Sequence, residues 1–529
     1  MNRVISTSMG VLGNEIRLRM GQASFEKLRH HLASDPSNEQ FAFLLAKRER
    51  TACGTVLIVR EVFLPERSDL DYQSMGGVAP SPAFQKVVYQ AAADSGCDIV
   101  DVHTHPHTGT PRFSAIDERI GHSNAKDIQR VFAGAVTLAM IVFGSDITGH
   151  DGVIFDPELD DFREIQAIEV LGRSIDIRMT GESVHSEIDQ KHDRQRLIPG
   201  MDQSRLERLR IAIVGCGGNG SQFANLALSM GCGRAGWIAC IDHDTIESSN
   251  LARIPYAGYD DIGIRKVDCF ARHAAKADPT TRVVPIVATA DSAVARGHMA
   301  AASVILGCGD NDGLRKLANE TAVRYGVPYI DLGCGVIVTD DSIEAGGQVQ
   351  IVLPGANQCL LCRGGYDVSQ ASLSLMHEDA REAYRSAGYV TGADADPTPS
   401  IAVLNADVAR IAATALIGMT SDNGFPVHDA TYSDVKRGTL LNAESRYEPE
   451  CPLCGALGYL NAGSATEPPL TEAPRPDQDG QFASESSSDL NPEHNAGGHS
   501  DRVLSIDHGA KSPLKLSESE VEASDAVDA

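Results

Sequence analysis

The stretch RIAIVGCGGNGSQFANLALSMGCGRAGWIACIDHD, from Arg210 to Asp244, decides the fold of the second half of this chain. It contains a short apolar strand, a glycine-rich turn, an apolar helix and a second strand that ends in aspartate. This order is typical of a nucleotide-binding βαβ unit, in which the N-terminus of the helix faces phosphate. The sequence therefore predicts an α/β fold with a nucleotide site at the turn.

Residues downstream of the turn extend this site. Asp242 ends the second strand, where a ribose hydroxyl would lie. Asn250, Arg253 and Lys266 follow, and their side chains suit a triphosphate. Asp310 follows another predicted strand, ASVILGCG, and is placed to bind Mg²⁺. A Rossmann dehydrogenase is the alternative interpretation, but it leaves Lys266 and the segment around Asp310 without a role.

This set of residues resembles the ubiquitin-activating-enzyme superfamily in its bacterial ThiF/MoeB/HesA form, over about residues 188–460. The resemblance implies ATP rather than NAD as the nucleotide, and adenylation of a C-terminal carboxylate. It also implies a homodimer, in which Arg194 reaches the active site of the partner subunit. The residues carried over by position to the ATP and Mg²⁺ site are Gly215, Gly217, Gly218, Gly220, Asp242, Asn250, Arg253, Lys266 and Asp310.

A second candidate site lies in VDVHTHPHTGTPRFSAID, from Val100 to Asp117. Alternation along a predicted strand puts His103 and His105 on one face, and Asp117 in the first turn of the next helix can fold back beside them. Two imidazoles and a carboxylate suit zinc, with the fourth position left for water. Glu39 is the candidate base, and Ser114 could donate a hydrogen bond to an oxyanion. The alternative is an incidental HxH pair on a loop.

An upstream Glu, HxHP and SxxD together resemble the JAMM (JAB/MPN) metalloprotease family, over roughly residues 10–160. The resemblance implies a zinc-dependent cleavage of peptide or isopeptide bonds after a ubiquitin-like C-terminus. One difference is the loop length, since 11 residues separate His105 from Asp117, one more than in many members. A loop extension of one residue is absorbed at little cost.

Two CxxC pairs, Cys359 with Cys362 and Cys451 with Cys454, predict a closed Cys₄ zinc site of structural type. Two separate redox motifs are the alternative. The segment between Arg363 and Ser400, where thioester-forming relatives of the ThiF form carry their nucleophile, contains no cysteine. We therefore expect no stable internal thioester, and the adenylate would pass to a partner's cysteine, a sulfur donor or an amine.

Composition sets the limits of the predicted organisation. The net charge of −26 argues against a nucleic-acid surface, and the sequence has no apolar run of about 20 residues, so no membrane span is expected. The N-terminus lacks the apolar core of a signal peptide, which predicts a cytoplasmic protein. Twelve cysteines in so long a chain indicate metal binding more than disulfides.

Four segments are predicted. Residues 1–165 form a JAB/MPN-like α/β domain that hydrolyses with zinc, and residues 166–187 are a linker. Residues 188–462 form a Rossmann-like ThiF adenylation domain with the Cys₄ zinc site. Residues 463–529 contain 14 acidic and 4 basic side chains among Ser, Pro and Gly, which predicts a disordered acidic tail.

The leading hypothesis is a bifunctional enzyme that uses ATP, Mg²⁺ and two zinc ions, one catalytic and one structural. Its C-terminal half would adenylate a ubiquitin-like or sulfur-carrier protein that ends in Gly-Gly. Its N-terminal half would trim or remove that modifier, and a conjugating-enzyme-like partner would supply the acceptor cysteine. Two alternatives are an adenylyltransferase of sulfur-carrier or cofactor biosynthesis, and a non-catalytic scaffold that docks modifiers.

Overall fold

The structure is a computed structural model of the 529-residue chain, and it describes residues 13–181, 190–338, 342–376, 379–380, 399–455 and 458–464. In the first of these ranges the strands are β1 (Glu15–Gly21), β2 (Phe41–Thr51), β3 (Gly54–Phe63), β4 (Leu70–Ser74), β5 (Gly77–Pro80), β6 (Asp98–His105), β7 (Leu138–Gly144), β8 (His150–Asp156), β9 (Asp161–Glu164), β10 (Ala167–Leu171) and β11 (Ile175–Met179). The helices are α1 (Gln22–Leu32), α2 (Pro82–Ser95) and α3 (Ala115–Val131).

These strands form one large sheet in the order β11-β10-β1-β3-β2-β6-β7-β8-β9, with β4 and β5 as a separate hairpin. Strand β6, which carries the histidines, lies between β2 and β7. Helix α1 packs on one face of the sheet through apolar residues such as Leu28, and α2 and α3 cover the other face through Val88 and Ile128. The predicted strand that ends in HxH is confirmed as β6.

The predicted linker at residues 166–187 is wrong over most of its length. Strand β10 pairs in parallel with β1, with Ile168 opposite Leu18, and β11 pairs with β10 in antiparallel. The first domain therefore continues to Met179. Each strand has only five residues. Strand β10 is stabilised by pairing with β1, about 150 positions upstream, and β11 is stabilised by pairing with β10.

The second half contains the strands β12 (Arg210–Val214), β13 (Trp237–Ile241), β14 (Val283–Ile286), β15 (Val304–Gly307), β16 (Tyr329–Val338), β17 (Ile343–Val352), β18 (Ala430–Asp434) and β19 (Thr439–Ala443). Its helices in the described ranges are α4 (Asp193–Arg196), α5 (Gln203–Arg208), α6 (Gly218–Met230), α7 (Lys266–Ala277), α8 (Ala293–Ala301), α9 (Asp312–Tyr325), α10 (Leu360–Arg363), α11 (Val368–Ser374) and α12 (Ala402–Thr420).

The second sheet has the order β14-β13-β12-β15-β16-β17-β18-β19. Strands β12 to β16 pair in parallel, whereas β17, β18 and β19 extend the sheet in antiparallel. The parallel part has the strand order of a doubly wound nucleotide-binding fold, in which ligands bind at the carboxyl ends of the strands. This arrangement confirms the Rossmann-like prediction.

The first domain contacts the amino ends of the parallel strands in the second sheet. Arg17 donates to the carbonyl of Ala301 at 3.0 Å, and Arg19 donates to the carbonyl of Ala302 at 2.8 Å, just before β15 begins. Arg210, the first residue of β12, pairs with the buried Glu169 at 3.0 Å. The opposite, carboxyl ends of β12 and β15 therefore point away from the first domain.

One helix in the described part of the chain, α12, is long and apolar enough to cross a membrane. Eleven of its residues are buried, and Val408, Leu416 and Met419 belong to the core formed with β16 and β17. Packing in this core accounts for its apolar sequence. Of the predicted acidic tail, only Gly463 and Ser464 lie within the described residues, and Ser464 donates to Glu49 at 2.7 Å.

Candidate functional site

The two histidines and the aspartate of the loop converge on one point. The Nε2 atom of His105 lies 3.4 Å from Oδ2 of Asp117, and the Nε2 atom of His103 lies 3.8 Å from Oδ1. One donor atom from each of the three residues lies within 4.8 Å of the others. These separations are close to the edge of a tetrahedron with bonds of about 2.0 Å, so the three side chains could hold a zinc ion.

Asp117 is placed by the start of helix α3. Its side chain accepts a hydrogen bond from the backbone N–H of Ser114 at 2.7 Å, while the Ser114 hydroxyl accepts one from the Asp117 N–H at 3.2 Å. These two hydrogen bonds form a capping box, with Ser114 as the N-cap of the helix. The SxxD motif thus has a local structural role, and it also aims the Asp117 carboxylate at the histidines. The predicted oxyanion role of Ser114 stays a prediction.

Glu39 reaches the same point from the segment before β2. The first residue of β2, Phe41, pairs with His103 across the sheet. Gln40 fixes the preceding turn, because its N–H donates to the Thr104 hydroxyl at 2.8 Å and its carbonyl accepts from the Thr104 N–H at 3.0 Å. The structure therefore brings together all four residues predicted to form the zinc site and its base.

The electrostatics of this cluster suit a base beside a cation site. Burial raises the pKa of Glu39, although the nearby His103 and His105 oppose this. Burial also opposes ionisation of Asp117, but hydrogen bonds from His105 and Ser114 hold its pKa well below the usual value. Two carboxylates with different proton affinities are the arrangement needed for one ligand and one proton acceptor.

The glycine-rich turn joins β12 to α6 at the carboxyl end of the second sheet. Gly215 has φ +92 and packs against the backbone of Cys308 and Gly309, so that a Cβ here would lie 3.1 Å from both. A Cβ on Gly220 would lie 1.9 Å from the carbonyl oxygen of Gly215. A Cβ on Gly217, in contrast, would meet nothing within 4 Å. The turn is therefore tightly packed at Gly215 and Gly220 and open at Gly217.

Asp242 and Lys266 face the same edge of the sheet as this turn. The Asp242 carboxylate accepts hydrogen bonds from the N–H of Cys216 at 2.7 Å and from the N–H of Asp244 at 2.8 Å. Lys266, the first residue of α7, donates to the side chain of Asp244 at 2.7 Å. Asp244 was absent from the predicted site, and its position two residues after Asp242 is the sequence signal that could have identified it.

The remaining predicted phosphate and Mg²⁺ residues surround the turn. Gln222 of α6 donates to the carbonyl of Arg253 at 3.2 Å, and Asn250 is buried with its side chain capping the preceding turn. Asp310 is exposed one residue after Gly309. The fold thus brings these positions to one edge, whereas their contacts with ATP and Mg²⁺ stay predictions.

Arg194 lies away from this edge. Its neighbour Gln195 donates to the carbonyl of Met230, at the C-terminal end of α6. Helix α6 has 13 residues, which makes it about 20 Å long at 1.5 Å per residue. Arg194 therefore does not belong to the nucleotide site of its own chain, and a role in the partner subunit stays a prediction.

The four cysteines of the CxxC pairs form one cluster. The Sγ atoms of Cys359 and Cys362 are 3.6 Å apart, those of Cys359 and Cys451 are 3.9 Å apart, and those of Cys362 and Cys454 are 3.6 Å apart. Zinc–sulfur bonds of about 2.3 Å give tetrahedral edges of about 3.8 Å. The cluster therefore fits one zinc ion rather than two separate redox pairs.

Other cysteines near the nucleotide turn are poor nucleophiles. Burial raises the pKa of Cys308 far above its usual value, and a hydrogen bond with Cys240 together with burial does the same for Cys216. Cys334 is half-buried, and burial raises its pKa while its Sγ donates to Asn219 at 3.2 Å. A thiol that stays protonated attacks an adenylate slowly. Residues 381–398, in the segment between Arg363 and Ser400 that contains no cysteine, lie outside the described residues.

Comparison with known proteins finds similarities to the second half of the chain. The ThiF family model matches residues 192–453. The adenylyltransferase and sulfurtransferase UBA4 of Yarrowia lipolytica is 31% identical over 180 residues, which cover 32% of this chain and 41% of that protein. The adenylyltransferase and sulfurtransferase MOCS3 of Sus scrofa is 29% identical over 175 residues, covering 32% of this chain and 36% of that protein.

A third relative matches over a longer stretch. The SAMP-activating enzyme E1 of Haloferax volcanii is 26% identical over 257 residues, covering 48% of this chain and 84% of that protein. Among solved structures, that of E. coli MccB with ATP is 21% identical, covers 48% of this chain and 68% of that chain, and has a TM-score of 0.36. The matches thus span about two fifths of the length of the UBA4 and MOCS3 relatives.

Proposed function

We propose that this chain, whose residues 192–453 are a ThiF-family domain, is a cytoplasmic enzyme that adenylates the C-terminal carboxylate of a small sulfur-carrier or ubiquitin-like protein. The observation that carries this proposal is the nucleotide edge of the second sheet. There the open turn at Gly217, the carboxylate of Asp242 and the ammonium of Lys266 lie together at the carboxyl ends of β12 and β13.

The chemistry needs positioning and charge more than a covalent group. An oxygen of the substrate carboxylate forms a bond to the α-phosphorus of ATP, and the bond to the β-phosphate oxygen breaks, so that pyrophosphate leaves. Lys266 and Arg253 would neutralise charge on the phosphates, and Asp310 would hold the Mg²⁺ that pyrophosphate carries away. The N–H groups at the start of α6 would bind phosphate.

The names of the relatives support the proposed substrate class. Two of those described above are adenylyltransferases and sulfurtransferases by name, and the third is a SAMP-activating enzyme. These names support a sulfur carrier as the substrate at least as well as a conjugated modifier. The raised pKa values of the Cys216, Cys308 and Cys334 thiols favour transfer of the adenylate to an acceptor outside these three thiols.

Exchange of labelled pyrophosphate into ATP tests this function. The purified chain is mixed with ATP and with small carrier proteins that end in Gly-Gly. We expect exchange that depends on the carrier and falls at least 100-fold in Lys266→Ala, because the triphosphate loses its main cation. Lys276→Ala, on the exposed end of the same helix, is the matched control. Carrier-dependent exchange that persists in Lys266→Ala and Asp310→Ala would refute the assignment.

We further propose that the first domain is a JAMM-like zinc hydrolase that cleaves peptide or isopeptide bonds of the same class of carrier protein. His103, His105 and Asp117 would hold the zinc, and the fit rests on their converging donor atoms and on the buried Nε2 of His103. Zinc in such a site makes a bound water acidic near neutral pH. Glu39, whose pKa burial raises, would accept the proton, and Ser114 would lie beside the substrate oxygen.

Counting zinc separates this proposal from a non-catalytic scaffold. We expect about two zinc ions per chain, one in the Cys₄ cluster and one at the histidines, because the two sites share no ligand. His103→Ala should lose one ion and keep the other, while His30→Ala, an exposed histidine of α1, should keep both. One zinc per chain in the unaltered protein, carried by the cysteines, would overturn the hydrolytic centre and leave the first domain as a scaffold.

The two centres lie on opposite sides of the junction between the domains. The β2–β3 turn touches the second half, where the N–H of Ala52 donates to the carbonyl of Gly297 at 3.2 Å. His103 lies opposite Phe41, ten residues along β2 from Thr51, which corresponds to about 33 Å at roughly 3.3 Å per residue. The short C-terminal tail of a carrier protein cannot occupy both centres of one chain at once. A trimmed carrier would therefore be released before it is adenylated.

A further inference from the structure

Asp101 lies next to the predicted zinc ligands but outside the HxH motif. It is on β6 two residues before His103, and the alternation of side chains along a strand puts Asp101, His103 and His105 on the same face. An Asp101 carboxylate oxygen, Oδ1, lies 3.5 Å from Nδ1 of His103. Nδ1 is on the opposite side of the imidazole from Nε2, and Nε2 faces Asp117.

His103 has one ring nitrogen with a neighbouring carboxylate and one without a hydrogen-bond partner. The residue is only 6% exposed, and among the described residues its Nε2 atom is buried and makes no hydrogen bond. A buried imidazole nitrogen without a partner costs free energy unless a ligand occupies the space in front of it. This atom therefore points to a ligand at the centre of the cluster, independently of the motif.

We propose that Asp101 is a positioning residue, which accepts the Nδ1 proton of His103 and so keeps Nε2 unprotonated and directed at the metal. This inference rests on the proposed zinc site of the first domain. A metal-binding histidine usually donates its other N–H to a carboxylate or carbonyl, which fixes the tautomer and the ring orientation and makes the ligating nitrogen more basic.

A direct role of Asp101 as a fourth ligand fits the structure less well. The converging donor atoms come from His103, His105 and Asp117, and Asp101 does not belong to this set. The strands beside it also hold its position, because Phe43 and Met140 lie opposite Asp101 on β2 and β7. The fourth coordination position therefore stays open for water, as a hydrolytic site requires.

Metal affinity tests this role without any substrate. The full-length chain is stripped of metal, the Cys₄ site is refilled with one equivalent of Zn²⁺, and the second site is titrated with Co²⁺, followed by its visible absorption. We expect Asp101→Ala to weaken Co²⁺ binding at the second site by about 10- to 100-fold, as loss of such partners does elsewhere. Asp101→Asn should recover part of this loss, since an amide oxygen still accepts the Nδ1 proton but carries no charge.

Asp127→Ala is the matched control, because Asp127 is an exposed carboxylate of α3 that pairs with Arg130 on the same helix. It should bind Co²⁺ as the unaltered chain does. Equal Co²⁺ affinities in the unaltered chain, Asp101→Ala and Asp101→Asn would overturn the role of Asp101 while the zinc site stands. Failure of the unaltered chain to bind a second ion would instead overturn the proposed hydrolytic centre. If Asp101→Ala does not fold, the near-isosteric Asp101→Asn decides, with a loss of at least threefold expected.

Discussion

At the scale of single residues, Asp117 combines a structural role with a proposed chemical one. One carboxylate accepts the N–H of Ser114 and so caps helix α3, and its oxygens also lie 3.4 Å and 3.8 Å from the two imidazoles. The helix start thus fixes the direction of a metal ligand. A substitution here changes helix stability, metal affinity or both, according to which atoms it removes.

Two substitutions at this position should separate the roles. Asp117→Asn keeps an oxygen that can cap the helix but loses the charge, so zinc affinity at the histidines should fall at least 100-fold with little change in the melting temperature of the metal-free chain. Asp117→Ala should lose both the zinc and the cap, at a cost of about 1 kcal/mol. Zinc titration and thermal melting measure the two effects, and a large loss of metal-free stability in Asp117→Asn would contradict this separation.

At the scale of elements, the turn before α6 shows that its glycines serve different purposes. Gly220 is needed for packing, because its Cα lies against the carbonyl of Gly215, whereas Gly217 lines open space in front of the helix N-terminus. The first is a requirement of the fold, and the second leaves room for a ligand. A glycine motif in the sequence does not distinguish these two roles of Gly217 and Gly220.

Alanine substitutions should distinguish these two glycines. Gly220→Ala places a Cβ 1.9 Å from a backbone oxygen, so the turn must shift, and we expect a loss of stability of about 2–4 kcal/mol, in the range of strained core substitutions. Gly217→Ala should melt at the normal temperature but bind ATP at least tenfold more weakly, because its methyl group enters the phosphate space. Urea unfolding and ATP titration check this, and normal ATP binding by Gly217→Ala would place the phosphates elsewhere.

At the scale of the whole molecule, the two halves are joined by a buried cluster of three arginines and one glutamate. Glu169 of β10 pairs with Arg17 at 2.6 Å, with Arg19 at 2.8 Å and with Arg210 of the second half at 3.0 Å. Arg17 and Arg19 also donate to carbonyls at the C-terminal end of α8, which have no partner within that helix. The junction is thus buried and charged, so the two halves should unfold together.

Removal of the buried negative charge of Glu169 should destabilise this junction strongly. We expect Glu169→Gln to cost about 3–5 kcal/mol, because Arg17, Arg19 and Arg210 then lose their fully buried counter-charge. Glu15→Gln is the control, since Glu15 pairs with Arg210 but its side chain is 48% exposed, and it should cost less than about 1 kcal/mol. Urea unfolding that shows two separate transitions in the unaltered chain would contradict a shared junction.

The same residue predicts how stability depends on pH. Although burial opposes it, Arg17 and Arg19 lower the pKa of Glu169 from 4.5 to about 2. A carboxylate whose pKa is lowered by folding stabilises the protein fully above the unfolded value and loses that stabilisation as the pH falls. The unaltered chain should therefore lose stability between pH 4.5 and about 2, and Glu169→Gln should lose less over this window. Unfolding curves measured across it provide the check, and parallel losses in both proteins would assign the acid sensitivity to other groups.

The sequence by itself determined the elements whose signals are local. The glycine turn after an apolar strand, the HxH pair at the end of a strand, the SxxD helix start and the two CxxC pairs each lie within a few residues, where alternation and capping operate. These signals led correctly to a glycine turn between β12 and α6 in the second sheet and to the convergence of His103, His105 and Asp117. They also led correctly to one cluster of four cysteines.

Only the tertiary structure decided which distant segments meet. Strands β10 and β11 looked like a linker because five-residue runs carry little signal alone. Strand β10 pairs with β1 from about 150 positions away, and β11 then pairs with β10. The ion cluster around Glu169 and the placement of the two candidate centres on opposite sides of the junction depend on equally long-range contacts. Burial and charge pairing act through space between residues far apart in the chain, and no short window of sequence records which residues will become neighbours.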